Sequence, residues 1–231
     1  MLDIWTIDLK DLSPEASSYI HSLLTPAERD RAQRYASQAK RQSFALARGI
    51  VRDVLSRYVA LPAQDLVFTL TSRGKPELDI HNQRAPFFNL SHSQSYVCLA
   101  VSLNRRVGVD IEVMDKDLPK LDKIASFAFA PPEVEALATY PPALRVHSFY
   151  TLWTSKEAYA KGTGEGLSRL RSISCRIRYG PSSLQVQGIH GAPDWRLHHF
   201  QPVPHIQGTA AVEGKGSVLI TYSSTLMHIK D

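Results

Sequence analysis

The chain has 231 residues, of which 43% are hydrophobic and 21% are charged, and its formal net charge is +5. These are ordinary values for a globular protein, and they exclude a disordered or fibrous chain. The two cysteines, Cys98 and Cys175, allow at most one bridge, which excludes a disulfide scaffold and a cysteine-built zinc site. No secretory signal and no run of roughly 18 apolar residues is visible. We therefore expect a cytoplasmic protein that does not contact a membrane.

The positive charge is concentrated in one early segment. Residues 28–57 contain eight basic and three acidic side chains, and this excess equals the net charge of the whole chain. Thr25 and Pro26 predict the start of a helix, as its N-cap and its first residue. From Phe44 to Tyr58, apolar residues recur at three- and four-residue spacing, which predicts an amphipathic helix. The charge indicates an anionic partner.

Three arginines of this segment fall on one side of the predicted helix. Arg41, Arg48 and Arg52 lie within about 40° of one another, beside the apolar face. Two interpretations are open. A hydrated helix face is the ordinary one, and three aligned guanidinium groups beside a buried face would also suit a phosphate site at the edge of a cleft.

Strand and helix patterns follow one another through the rest of the chain. Strands are predicted at 65–71, 87–90, 96–102 and 107–113, with a turn at 72–76. Helices are predicted at 118–129, 131–138 and 144–161, and strands again at 173–179, 183–186, 195–200 and 217–222. Helices and strands thus mix in both halves, which indicates an α/β or α+β fold with a boundary near residue 105.

The heptapeptide 107–113 carries two carboxylates on one side of a predicted strand. Because alternate strand residues face opposite sides, Gly108, Asp110 and Glu112 share one face, and the valines with Ile111 share the other. A half-exposed edge strand would explain this pattern. Two hard oxygen ligands beside a glycine that admits a close approach would equally suit Mg²⁺ bound to a substrate phosphate.

Further polar residues lie on the helix predicted at 144–161. Glu157 and Lys161, four residues apart, sit together on the flank of its apolar stripe, where an ordinary ion pair would explain them. Lys156 could point either inward or toward a ligand. The glycine-rich residues 162–166 fit a helix stop, and they match neither the P-loop nor the dinucleotide-binding fingerprint.

The strand predicted at 87–90 runs into Ser91, His92 and Ser93. Adjacent serine and histidine residues suggest a hydrolase. However, sequence neighbours rarely form a nucleophile–base pair, and the chain has no Gly-x-Ser-x-Gly elbow. A serine hydrolase is therefore not expected, and the spacing of the other histidines predicts no metal site.

Taken together, these segments resemble the Sfp-type 4′-phosphopantetheinyl transferases. A basic helix pair is followed in the family's order by Arg73-Gly74-Lys75-Pro76, Phe88-Asn89-Leu90-Ser91-His92-Ser93, Gly108-Val109-Asp110-Ile111-Glu112 and Trp153-Thr154-Ser155-Lys156-Glu157-Ala158-Tyr159-Ala160-Lys161. Each segment alone has modest specificity. All of them in this order, at fitting spacings over residues 25–166, are highly specific.

The resemblance implies an α/β (α+β) fold of two similar lobes related by a pseudo-twofold axis, each a small sheet packed with helices. We expect lobes at residues 1–105 and 106–231, with coenzyme A between them, in a monomeric protein. The implied reaction moves the 4′-phosphopantetheine arm of coenzyme A to a serine of an apo acyl or peptidyl carrier protein. Adenosine 3′,5′-bisphosphate is released.

The resemblance also implies roles for the acidic residues and for one lysine. Asp110, Glu112 and Glu157 would coordinate Mg²⁺, which grips the coenzyme pyrophosphate. Glu157, or a water beside it, would take the proton of the incoming serine. Lys161 would bind the pyrophosphate and help the bisphosphate leave.

The remaining implied contacts are to the phosphates of coenzyme A. Ser91 and His92 would contact phosphate oxygens, while Arg48, Arg73 and Lys75 would hold the 3′-phosphate and the adenine end. The sequence departs from the best-known members at Glu28 and Gln33, which replace basic residues. Which of the neighbouring arginines contact coenzyme or carrier protein is therefore open, a question that concerns Arg29, Arg31, Arg34 and Arg41.

Two other classes of protein compete with the transferase. A basic nucleic-acid-binding module would explain residues 28–57 but leave Asp110, Glu112 and Glu157 without a role. A Mg²⁺-dependent phosphodiesterase would use the same carboxylates to activate water and would need no carrier protein. We expect the transferase, and nucleic acid is not an expected partner.

Overall fold

The computed structural model describes residues 1–80, 84–115, 120–181, 183–216 and 218–223, without the side chains of residues 143 and 167–169. The chain divides into two compact units. Of the described residues, the first unit contains those within 1–90, 94–104 and 219–223, and the second contains those within 91–93 and 105–218. Each unit packs helices on sheets around its own apolar core, so the predicted mixed α/β fold is confirmed.

The helices and strands are numbered in chain order. The helices are α1 (Pro14–Ser22), α2 (Pro26–Gln33), α3 (Gln38–Ser56), α4 (Leu121–Ala128), α5 (Pro131–Ala138) and α6 (Pro142–Thr163). The strands are β1 (Leu2–Asp8), β2 (Val67–Leu70), β3 (Pro76–Asp79), β4 (Phe87–Ser93), β5 (Tyr96–Ser102), β6 (Val107–Val113), β7 (Cys175–Tyr179), β8 (Leu184–Ile189), β9 (Trp195–Phe200), β10 (Ile206–Glu213) and β11 (Ile220–Ser223). Among the helices that the structure describes, none combines the length and apolar character needed to cross a membrane.

The first unit packs α1 and α3 against a four-stranded sheet in the order β11-β1-β5-β4, beside the β2–β3 hairpin. The predicted helix start is confirmed, because the Thr25 hydroxyl accepts from the Glu28 backbone and the Glu28 carboxylate accepts from the Thr25 backbone. This reciprocal cap satisfies two backbone donors at the start of α2. Helix α3 buries Ile50, Val54 and their apolar neighbours, as its periodicity predicts.

The second unit is built on the antiparallel sheet β6-β10-β9, which α6 covers. A Cβ atom on Gly108 would lie 1.9 Å from the Ala158 carbonyl oxygen and 2.3 Å from the Gly162 nitrogen. The close approach at Gly108 is therefore made by α6, and the interpretation that it admits a ligand is wrong. Helix α6 ends at Gly164, whose φ of 76° is in the left-handed region that glycine adopts readily.

Most of the predicted elements are present, with end points that shift by a few residues. Residues 118, 119 and 217, which belong to a predicted helix and a predicted strand, lie outside the described residues. Strands β1, β3 and β10 and helix α1 are additional to the predictions. Strand β10 is the central strand of its sheet although its middle is Gly208-Thr209-Ala210-Ala211. Small residues give a weak strand signal, and burial between two neighbouring strands decides the outcome.

Candidate active site

Three of the predicted site residues converge where α6 crosses β6. The Lys161 ammonium lies 2.5 Å from Asp110 Oδ1 and 3.3 Å from Glu157 Oε2. Asp110 is 1% exposed and Glu157 is 7% exposed. Because Gly108 lets α6 pack directly on β6, a strand carboxylate and a helix carboxylate share one half-buried cation.

Strand β4 adds two serine hydroxyls to this cluster. Ser91 Oγ donates to Asp110 Oδ1 at 2.7 Å and accepts from Lys161 Nζ at 3.2 Å. Ser93 Oγ donates to Glu112 Oε2 at 2.7 Å. His92 lies between the two serines on the strand and is exposed, so the alternation of side chains separates it from the carboxylates. All of these residues belong to the second unit.

Burial and mutual repulsion keep the carboxylates of the cluster weakly acidic. Burial and the neighbouring charge of Asp110 raise the pKa of Glu157 to about 7, and the same two causes raise the pKa of Glu112. Burial also raises the pKa of Asp110, although Lys161 and Ser91 oppose the change. Burial lowers the pKa of Lys161, but the charges of Asp110 and Glu157 outweigh it and leave the pKa raised. The cluster therefore has more negative than positive charge when ionised, and it favours an additional cation.

The donors of this cluster fit a hard metal ion in their chemistry. Asp110 Oδ2 is buried and has no hydrogen-bond partner among the described residues, and carboxylate oxygens are the ligands that Mg²⁺ prefers. Within the described ranges, no group of three or more His, Cys, Asp or Glu side chains is already arranged to hold a metal. A bound ion would have to replace contacts that Lys161 now makes.

The position of Lys156, left open by the sequence, is inward. Its ammonium pairs with Glu133 in the core and lies 5.0 Å from the centre of the Phe129 ring. Glu133 also accepts hydrogen bonds from the backbone nitrogens of Cys175 and Ala130. Lys156 is thus part of the core that holds α6 in place. Glu133 is not among the residues predicted from the sequence, although an acidic residue three positions into a helix that begins with proline is a capping signal.

The arginine stripe of α3 divides into two kinds of residue. Arg52 is buried, pairs with Glu28 at 2.7 Å and donates to the carbonyls of Ala63 and Leu66. It is therefore structural, and the interpretation that all three aligned guanidinium groups serve a phosphate is wrong for Arg52. Arg48 pairs with the same glutamate while its guanidinium lies 3.9 Å from the centre of the Phe68 ring.

The other two predicted coenzyme contacts of the first unit lie on its hairpin. Arg73 and Lys75 lie in the turn between β2 and β3, which is closed by a hydrogen bond from the Thr71 nitrogen to the Lys75 carbonyl. Arg73 is exposed. Because Phe68 of β2 stacks on Arg48, the hairpin packs beside α3 in this unit.

Two known protein families match successive parts of the chain. Residues 106–215 match the 4′-phosphopantetheinyl transferase superfamily, and residues 11–104 match the 4′-phosphopantetheinyl transferase N-terminal family. The chain therefore belongs to the 4′-phosphopantetheinyl transferase superfamily. It is an Sfp-type enzyme, since both the N-terminal and the superfamily regions are present.

Curated relatives match over most of the chain. The 4′-phosphopantetheinyl transferase HetI of Nostoc sp. (strain PCC 7120 / SAG 25.82 / UTEX 2576) is 33% identical over 215 residues, which cover 92% of this chain and 88% of HetI. The 4′-phosphopantetheinyl transferase Sfp of Bacillus subtilis (strain 168) is 30% identical, and the match covers 84% of each chain. The putative 4′-phosphopantetheinyl transferase slr0495 of Synechocystis sp. is 39% identical over 64% of this chain and 59% of that protein.

The predicted class of enzyme is thereby confirmed. The protein is a 4′-phosphopantetheinyl transferase that uses coenzyme A as co-substrate and a carrier protein as acceptor. The two competing classes, a nucleic-acid-binding module and a phosphodiesterase, are set aside.

Proposed function

We propose that Asp110, Glu112 and Glu157 hold Mg²⁺ in this transferase and that Glu157 and Lys161 act on the reacting groups. The observation that carries the proposal is the contact of Lys161 with the buried carboxylates of Asp110 and Glu157, with Glu112 two residues along the strand of Asp110. When bound, Mg²⁺ supplies positive charge that offsets the charge of the coenzyme pyrophosphate. The unpartnered Asp110 Oδ2 supports this assignment.

Glu157 is the proposed general base. A base works best when its pKa lies near the working pH, and in the metal-free site burial with the charge of Asp110 raises the pKa of Glu157 to about 7. The serine oxygen of the carrier protein forms a bond to the phosphorus that bears the pantetheine arm. The bond from that phosphorus to the bridging oxygen breaks, and Glu157 takes the serine proton.

Lys161 is the proposed electrostatic partner of the leaving group. Its ammonium lies between Asp110 and Glu157, and a metal that takes over these two carboxylates would release it toward the pyrophosphate. A cation placed beside the leaving group stabilises the charge that develops there in the transition state. Lys161 therefore binds the pyrophosphate and stabilises adenosine 3′,5′-bisphosphate as it leaves.

The phosphates of coenzyme A are the proposed ligands of the remaining site residues. Ser91 and His92 contact phosphate oxygens, and Asp110 contributes through the metal. Arg48, Arg73 and Lys75 of the first unit hold the 3′-phosphate and the adenine end. We propose that residues 1–105 bind the adenosine end of coenzyme A and that residues 106–231 bind the metal. We keep the prediction that the enzyme is a cytoplasmic monomer.

Isosteric substitution tests the three carboxylates directly. Asp110→Asn, Glu112→Gln and Glu157→Gln should each lower transfer by on the order of 100-fold or more, because each removes a charge that binds the metal or takes the proton. Transfer is measured as the mass increase of an apo carrier protein incubated with coenzyme A and Mg²⁺. The chelator EDTA should reproduce the loss in the unaltered enzyme.

Glu135→Gln is the matched control, since Glu135 is an exposed glutamate of α5. It should transfer at the wild-type rate. Full activity in EDTA, or wild-type rates in two of the three site variants, would contradict the metal assignment. The transferase identity would be unaffected by that result.

A further inference from the structure

Strands β4 and β6 are linked by a repeated side-chain arrangement. Ser91 Oγ donates to Asp110 and accepts from the Ile111 nitrogen at 3.4 Å. Two residues along, Ser93 Oγ donates to Glu112 and accepts from the Val113 nitrogen at 3.1 Å. In each case the backbone N–H occupies an acceptor site of the hydroxyl, which directs the hydroxyl proton at the carboxylate.

Glu112 is held by a neutral donor from another element. Its carboxylate accepts a hydrogen bond from Ser93 Oγ of β4 at 2.7 Å. The Trp153 side chain of α6 lies near the same carboxylate. A neutral donor fixes the direction of a carboxylate without cancelling its charge, which leaves that charge for a cation.

We propose that Ser93 is a positioning residue that orients Glu112 for the Mg²⁺ site. This inference rests on the proposed metal role of Glu112. Partners that orient a metal ligand change metal affinity by about 10–100-fold when they are removed. Ser93 therefore sets the affinity for the metal, and the rate at saturating metal depends much less on it.

Substitution of Ser93 tests the orientation of a metal ligand more directly than substitution of Ser91 does. Ser91 contacts Lys161 as well as Asp110, and its substitution would disturb the proposed leaving-group residue. Ser93 Oγ contacts the Glu112 carboxylate and the backbone nitrogen of Val113. A change at Ser93 thus reports on the orientation of one ligand.

Ser93→Thr and Ser93→Val form the matched pair of variants. Both side chains are branched at Cβ and suit a strand, and they differ in the hydroxyl alone. Terbium(III), which prefers hard oxygen ligands, is the probe, because Trp153 lies beside Glu112 and can sensitise its emission. The titration is followed by displacement with Mg²⁺ and by the Mg²⁺ dependence of transfer.

Ser93→Val should raise the dissociation constants for terbium and for Mg²⁺ by about tenfold. Ser93→Thr should stay close to the wild-type constants. The kcat at saturating Mg²⁺ should change little in either variant, and Ser126→Ala on the exposed face of α4 should match the wild type throughout. Ser93→Ala is a second hydroxyl-free variant, and it should weaken metal binding as Ser93→Val does.

Equal metal affinity in Ser93→Val and Ser93→Thr, with Ser93→Ala equal to wild type, would overturn the role of Ser93. The proposed metal site would survive that result, provided that Glu112→Gln still weakens terbium binding. If neither the wild type nor Glu112→Gln bound terbium or Mg²⁺, the proposed metal role and the inference would both be wrong.

Discussion

Burial governs the chemistry of single residues in this enzyme. Glu157 has an ordinary pKa of 4.5, which burial and the charge of Asp110 raise to about 7 in the folded protein. A carboxyl group with a raised pKa supports folding while it is protonated. That contribution is present below pH 4.5 and is lost as the pH rises to about 7. Glu157 therefore lowers stability at neutral pH, as expected for a buried carboxyl group with the role proposed for it.

Glu157→Gln should accordingly stabilise the metal-free protein while it removes transfer. Above pH 7 we expect a gain on the order of 1–3 kcal/mol, because the ionised group no longer has to be buried. The gain should shrink toward zero as the pH falls to about 4.5. Thermal unfolding in EDTA at a series of pH values measures it, with Glu135→Gln as control. The prediction would be contradicted if the wild type became more stable than Glu157→Gln as the pH rises.

Glu28 links two helices of the first unit, α2 and α3. Its carboxylate accepts from the Thr25 nitrogen at 3.0 Å, and it pairs with Arg48 and Arg52 of α3. Burial alone would raise the pKa of Glu28, but the hydrogen bonds from Arg52, Thr25 and Arg48 outweigh it and lower the pKa from 4.5 to about 2. The departure from the family's basic pattern at this position thus gives α3 a fixed partner.

Glu28→Gln should weaken the first unit at neutral pH. A carboxylate with a lowered pKa contributes stability above its unfolded value of 4.5, and that stability is lost as the pH falls toward 2. The variant should be less stable by on the order of 1–2 kcal/mol near pH 6, after allowance for solvent screening.

The difference in the free energy of unfolding between Glu28→Gln and wild type should narrow below pH 4, as the wild-type carboxylate becomes protonated. Denaturant unfolding between pH 2.5 and 7 measures this difference. Glu15→Gln, at an exposed glutamate of α1, is the control. If the stability of Glu28→Gln and of wild type changed with pH in parallel, the ionised Glu28 carboxylate would not have the predicted stabilising role.

The charge of the whole molecule is unevenly placed, and this has consequences for the carrier protein. The excess of basic residues lies in α2 and α3 and in the segment between them. Arg29, Arg31 and Arg34 are exposed, whereas Arg52 is buried and paired. Exposed charge of one sign speeds the encounter with a partner of opposite sign, and salt screens that effect.

The kcat/KM for an acidic carrier protein should therefore fall severalfold as salt rises to about 0.3 M, where the Debye length is well under 10 Å. The KM for coenzyme A should change less, because the proposed metal ligands Asp110 and Glu157 are buried. Charge reversal at Arg29, Arg31 or Arg34 should weaken the carrier step, while Arg178→Glu on β7 is the control. If the kcat/KM for the carrier protein does not respond to salt or to these reversals, the basic segment of residues 28–57 serves coenzyme binding or solubility instead.

The sequence by itself determined the family and the mixed α/β fold, and it predicted the residues of the candidate site. Spacing within one element carries this information: two residues place Asp110 and Glu112 on one strand face, and four residues place Glu157 beside Lys161. Helix caps such as Thr25 are equally local. The order of the segments along the chain then identified the transferase.

Only the tertiary structure shows which residues from other elements these side chains contact. Gly108 faces α6, Lys156 faces Glu133, Arg52 faces Glu28, and Ser93 faces Glu112. Each pair joins residues from different elements, and local periodicity places a side chain on a face without indicating what packs there. Strand β10 shows the same limit, because its small residues form a strand only between β6 and β9.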